Sequence, residues 1–236
     1  MRTILSLLIL SISTFSFADL SNQVELKPFS MQVSAQTFKP VKAKAKGTIS
    51  LNKCTSSKDK TLNLWCYQVD TKIKIAEVHQ LAKFQNHNNS ILPWYTQQND
   101  RIFWKKTEKT TSFNHTNQSI STTYEKTDKQ QNYTGDIYDG VSYVLQIRKL
   151  LISGQTKFKL NVVSGHKIKA ISFKVIGKET LFTKAGILET IKIEQLSGNK
   201  KVIIWFAKRW DYLPVQFETY KSNKLHSRVT ATSVNY

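Results

Sequence analysis

The chain has 236 residues, and its 35 Lys and Arg outnumber its 16 Asp and Glu, for a formal net charge of +19. A hydrophobic content of 40% with 11% aromatic residues belongs to a chain with a buried core, which excludes a disordered or low-complexity protein. The lysines are spread along the sequence, which excludes one compact phosphate-reading patch and leaves either a solvated surface or attraction to an anionic envelope polymer or membrane surface.

The first element is a secretory signal. Arg2 supplies a positive start, Thr3 to Phe15 an apolar run, and Ser16-Phe17-Ala18 small residues at the cleavage positions, so residues 1–18 read as a signal peptide cut between Ala18 and Asp19. The apolar run is shorter than the roughly 20 residues that cross a bilayer, and no cysteine follows it for lipid attachment. The expected location is the periplasm, with residues 19–236 as one domain and nucleic acid set aside as a partner.

Period-two alternation then dominates, the pattern of strands with one buried face. Phe29, Met31, Val33 and Ala35 alternate with polar neighbours. Val41, Ala43, Ala45, Gly47, Ile49 and Leu51 form one face of the next strand, opposite a stripe of Lys42, Lys44 and Lys46. Its small residues predict either room for a helix or part of an apolar cavity. Cys54 and Cys66 are the only cysteines, and an even count in an oxidising compartment predicts one disulfide across the turn formers Ser56 to Asp59.

The polar stretch Lys105 to Thr134 carries Phe113, Ile120, Tyr124 and Tyr133 spaced as in exposed strands and predicts one long mobile hairpin turning at His115 to Gln118. Asp139 then caps a single amphipathic helix in which Val141, Val144, Leu145, Arg148 and Leu151 recur at intervals of three and four, ending at Ser153-Gly154. Alternation resumes through Phe158 to Val162, Ile171 to Val175, Ile191 and Ile193, Leu213 to Phe217, and Leu225 to Val234. Turn signals such as Asn88-Asn89, Ser164-Gly165, Ala185-Gly186 and Ser197-Gly198-Asn199 separate them as hairpins. The fold class is therefore mainly β: a single curved antiparallel sheet, or open half-barrel, with one amphipathic helix packed on or across it.

Several punctuated pieces carry a family likeness. Ile91-Leu-Pro-Trp-Tyr95, Asp139-Gly-Val-Ser-Tyr-Val-Leu-Gln-Ile-Arg148, Gly177-Lys-Glu-Thr-Leu181, Ala185-Gly186 and Trp205-Phe-Ala207 leading into Tyr212-Leu-Pro-Val215 resemble, in order, the DUF3108 family of bacterial periplasmic proteins of unknown function. The likeness spans about residues 75–236. Lys208-Arg209 stands where the family often has proline and an acidic residue. The resemblance implies a sheet curled around an apolar groove, similar in architecture to the LolA and LolB open barrels. In that frame Gly177 and Gly186 suit turns or bulges, Pro214 an edge strand or bulge, and Trp205 and Tyr212 aromatic anchors.

No catalytic, cofactor or metal motif is present. Glu77 and His79 share a strand face, which makes them either an acid–base pair or polar residues facing water. Asp136 and Asp139 bracket a short loop but lack the further oxygen ligands of a calcium site. The expected function is non-enzymatic binding of an apolar, lipid-like or acyl-chain ligand, with Trp65, Trp94, Phe103, Trp104, Ala43 and Ala45 as candidate cavity lining. A scaffold that holds anionic polymer or membrane through its lysines is the alternative.

Overall fold

The computed structural model describes residues 25–38, 42–73, 76–87, 89–102, 104–197 and 200–236. The expected signal peptide of residues 1–18, together with Val41, Asn88, Phe103, Gly198 and Asn199, lies outside the described residues.

The first half of the chain contributes strands β1 (Phe29–Thr37), β2 (Ala43–Lys53), β3 (Trp65–Ile73), β4 (Ala76–His87), β5 (Ser90–Ile102), β6 (Lys105–Asn114), β7 (Ser119–Tyr124) and β8 (Thr127–Asn132). A one-turn helix α1 (Ser57–Thr61) lies between β2 and β3, and α2 (Tyr143–Ile152) follows β8. The second half adds β9 (Lys157–Ser164), β10 (Lys167–Thr183), β11 (Gly186–Ser197), β12 (Lys200–Ala207), β13 (Leu213–Lys221) and β14 (Lys224–Asn235). All belong to one 14-stranded antiparallel sheet, ordered β8-β7-β6-β5-β4-β3-β2-β1-β14-β13-β12-β11-β10-β9. Sheet neighbours are thus sequence neighbours, except where the two terminal strands pair at the centre. The meander breaks once, between β8 and β9, and α2 occupies that break.

The hydrogen-bonded ladder does not close, but its two edges are partly covered. Tyr138 bridges to β9, its N–H donating to the Asn161 carbonyl at 2.8 Å while Val163 N–H donates back at 2.9 Å. Beneath this bridge Phe113, Ile120, Ile137 and Val163 form a second, smaller core. Farther out, Gln131 donates to the His166 carbonyl at 3.3 Å and Tyr124 meets the His166 ring at 5.8 Å. Side chains and one connecting segment therefore cover part of what would otherwise be raw sheet edges.

The polar stretch after residue 105 is three strands rather than one hairpin, with a further turn at Glu125-Lys126, both at positive φ. Two of its threonines point inward: Thr111 and Thr122 are buried and share a hydrogen bond of 3.3 Å, so a polar pattern conceals a core face. Phe113 and Ile120 are likewise core residues, not members of an exposed strand. Residues between the cysteines form α1, where the Ser56 hydroxyl accepts from Asp59 N–H at 3.2 Å and buried Asp59 accepts from Lys83 at 2.6 Å. Cys54 and Cys66 are disulfide-bonded with their Cα atoms 5.2 Å apart.

The glycine and proline positions of the C-terminal half are as their chemistry requires. Gly177 sits at a bulge against β11 with φ 152°, and Gly186 closes the β10–β11 turn at φ 112°. Pro214 lies opposite Phe206 at a second bulge, before β13 begins to pair with β14 at Gln216, so its missing N–H costs no ladder bond. Trp205 is 3% exposed, in a strand buried on both faces.

Candidate ligand site

Helix α2 is a plug within the curled sheet more than a lid across it. Apolar residues wrap all round it, and Val144, Leu145, Gln146, Ile147, Arg148, Lys149 and Leu151 are all buried. Such a helix cannot keep a wet face. Its start is held by Asp139, whose Oδ1 accepts from the N–H groups of Val141 and Ser142, both at 2.7 Å. Burial raises the Asp139 pKa while these bonds oppose the rise. On one flank Gln146 Oε1 accepts from Ile91 N–H at 2.9 Å and Lys149 donates to Asn86, tying α2 to the β4–β5 hairpin. On the other, Arg148 donates to the Asp211 carbonyl at 2.6 Å and to the Tyr236 hydroxyl. Asp211 and Tyr212 both adopt positive φ, so the turn just before the Leu213-Pro214 segment of the family likeness presents the Asp211 carbonyl to the helix.

Of these anchors, Asp139 as the cap and Arg148 as a helix position were legible in the sequence, whereas Gln146, Lys149 and their partners Asn86, Asp211 and Tyr236 were not singled out. The available signal was that α2 carries apolar residues at too many angles for Gln146, Arg148 and Lys149 to reach water.

The register orders the core-facing surface of the sheet into rungs. Leu51, Tyr67, Ala82, Thr96, Thr111 and Thr122 form one rung across six strands, and each is at most 2% exposed beneath the helix. The next comprises Ile49, Val69, Gln80, Gln98 and Lys109, half-buried in its middle. A third, Gly47, Thr71, Val78, Asp100 and Thr107, is half-exposed throughout. The surface therefore opens away from α2 and changes along each rung from apolar on β2 and β3 to polar on β5 and β6.

Two titratable groups sit in this opening. Lys109 is 7% exposed, and burial lowers its pKa against the charge of Asp139. Burial raises the pKa of Asp100, opposed by a bond from Gln80, and its Oδ1 has no hydrogen-bond partner among the described residues.

Phe103 lies outside the described residues, and the other five expected lining residues do not converge. Trp65 lies in the main core near the disulfide, opposite Phe84, with Lys53 Nζ over its ring at 4.2 Å. Trp94 is half-buried near a bulge and meets His115 edge-on at 5.7 Å. Ala43 and Ala45 belong to the opposite end of the sheet. Trp104 is at that end too, but it is 91% exposed in the β5–β6 turn and lines no concavity, because the turn carries it beyond the last rung. Trp65 pairs with Lys53, eight residues beyond Ala45, a separation of about 26 Å at the strand rise. Nor does the small-residue face simply leave volume: a Cβ on Gly47 would lie 2.4 Å from the Asp70 carbonyl oxygen, so close approach of β3 demands that glycine.

Glu77 and His79 face water on the outer side and border a cleft of about 340 Å³ that Asp100 and Thr107 also line. They do not pair with each other. His79 contacts its cross-strand partner Asp70, whereas Glu77 is bonded by Arg101 at 3.1 Å and Lys72 at 3.2 Å, which holds its pKa down. A carboxylate so clamped is no proton donor near neutral pH. Asp136 borders a second cleft, of about 510 Å³, at the seam beside Tyr138, Gln146, Leu150, Phe158 and Leu160. Asp139 is committed to capping, so the two aspartates form no cation site.

A single antiparallel sheet, curled without hydrogen-bonded closure around a plugging helix, defines a β-barrel-like protein with an open-ended concavity. The chain belongs to the DUF3108 family, described as proteins of unknown function, whose model matches residues 55–223. That match begins earlier than the sequence likeness, and so includes α1 and the cysteine at 66. Among solved structures, the fold is similar to a β-barrel-like protein of a domain of unknown function, DUF1849, from Brucella abortus. That similarity has a TM-score of 0.56 and 6% identity, covering 90% of this chain and 98% of the other. A Bacteroides fragilis protein of YmcC-like fold aligns over 89% of this chain and 97% of its own, at 7% identity and a TM-score of 0.33. No protein of curated function matches significantly.

Proposed function

We propose that this is an exported, non-catalytic periplasmic protein that binds an amphiphilic, lipid-like molecule at the open end of its concavity. The observation that carries this reading is the succession from a fully buried rung, through one half-buried in its middle, to one half-exposed throughout. Ala45, Gly47, Val69 and Val78 offer an apolar floor, and Lys109, Gln98 and Gln80 offer polar groups for an anionic head. The signal-like residues 1–18 and the disulfide support export. Native mass spectrometry of the protein extracted gently from its own envelope should show a lipid adduct, diminished in Ala45→Trp and in Lys109→Met. Absence of any adduct, together with failure to take up a fluorescent fatty-acid probe, overturns the reading.

The second reading, a scaffold holding anionic polymer, is favoured by the exposed Lys42, Lys44 and Lys46 on one strand face. Salt separates the two. Lysine-held polymer should dissociate steeply as ionic strength rises, whereas an apolar chain in the concavity should stay.

A further inference from the structure

The largest exposed apolar groups of the second half lie together at the β10–β11 hairpin tip. Phe182 and Ile187 are direct cross-strand partners, 81% and 65% exposed. Their neighbours Leu181 and Leu188 pair on the opposite face and are 9% and 0% exposed, so the pleat that anchors the hairpin in the core drives the second pair outward. The hairpin also projects. Pairing with β9 ends at Lys174 opposite Lys157, leaving the later part of β10 with a free edge.

We propose that this tip docks the protein on an anionic lipid bilayer, placing Phe182 and Ile187 in the headgroup–acyl boundary. A convex tip presents no pocket for a partner side chain and suits a deformable surface. Its charges agree: Lys178, Lys184, Lys208 and Arg209 surround it against Glu179 and Glu189. Both acids are engaged, Glu189 with Lys208 at 3.8 Å and Glu179 with Lys192 at 3.1 Å and the Trp205 indole at 2.9 Å. Arg209 reaches to 3.9 Å from where a Gly186 Cβ would stand and stacks on Trp210 at 4.6 Å, placing a cation and a half-buried indole beside the apolar pair. Aromatic and aliphatic residues rimmed by long basic side chains are the pattern of interfacial anchors. The tip needs little ordering, because the Thr183 hydroxyl accepts from Ala185 N–H at 3.1 Å and donates to the Gly186 carbonyl at 3.0 Å. The net charge of +19 brings the whole molecule towards such a surface. The tip lies at the end of the sheet opposite the open rungs, so docking leaves that end facing water and is independent of ligand binding.

The test is cosedimentation with vesicles of phosphatidylethanolamine and phosphatidylglycerol, against pure phosphatidylcholine, for wild type and Phe182→Ser/Ile187→Ser. Wild type should prefer the anionic vesicles and retain part of its binding at an ionic strength on the order of 0.5 M. The double variant should partition at least about tenfold more weakly, with an unchanged melting curve and the remainder abolished by salt. A Phe182→Trp reporter should be quenched by brominated acyl chains. Equal binding by wild type and variant, or no binding by wild type, overturns the proposal. So does a wild-type dimer in sedimentation velocity that Phe182→Ser/Ile187→Ser dissociates, since the tip would then be a contact between copies of this chain.

Discussion

Replacing Lys149 by methionine should stabilise the protein at neutral pH and remove a pH dependence that wild type possesses. Lys149 is 1% exposed, its ammonium donates to the neutral Asn86, and Arg148 is the adjacent cation. Burial first, and Arg148 second, push its pKa down to about 8 from 10.5. Between those two values the unfolded chain holds the proton and the folded chain releases it, so stability rises with pH across that window. Below it the folded protein carries a buried ammonium at a cost of about 3 kcal/mol, from two and a half pH units at about 1.36 kcal/mol each. Methionine keeps the length and removes the charge. Urea unfolding of both proteins from pH 7.5 to 9.5 should show wild type gaining about 2 kcal/mol on the variant. That range stops before tyrosine ionisation in the unfolded chain, which acts with the opposite sign because burial raises the pKa of Tyr143 and Tyr236 to about 12. Parallel stability curves would refute the reasoning and mean that Lys149 stays charged without penalty.

Three further outcomes follow from particular contacts. Asp139→Ala leaves the buried N–H groups of Val141 and Ser142 without an acceptor and should cost about 2–3 kcal/mol by chemical unfolding. The double variant Cys54→Ala/Cys66→Ala opens a loop of sequence separation 12 and should lose about 3 kcal/mol, or about 6–12 °C in calorimetric Tm. Gly47→Ala sets a Cβ against the Asp70 carbonyl and should destabilise by about 1–3 kcal/mol, where an ordinary strand Gly→Ala would be neutral or favourable.

Alternation such as Phe29-x-Met31-x-Val33 made the strands legible, because a half-buried strand writes its buried face directly into the sequence. From residue 105 to 134 it marked strands and the turn at His115 to Gln118 but missed the third strand and the burial, because Thr111 and Thr122 put hydroxyls that satisfy each other on the core face. The candidate site was less legible than the fold. Large aromatics were taken as lining, yet Trp65 is core and Trp104 is solvated, while the opening is framed by Gln80, Gln98, Asp100 and Lys109. None of those four is remarkable in a polar, lysine-rich sequence. They become a constellation only through register across β4, β5 and β6.

By itself, the sequence determined local facts: which residues alternate, where chains turn, that two cysteines pair, that one segment is helical, and the family to which these pieces belong. Those depend on neighbours within a few positions or on covalent chemistry. Tertiary structure decided where the helix went and what it left uncovered. A 14-stranded sheet curls by accumulated twist, and its terminal strands meet at the centre. Whether Arg148 and Lys149 are buried, or Phe182 and Ile187 exposed, depends on contacts between residues tens of positions apart. No local pattern encodes that information.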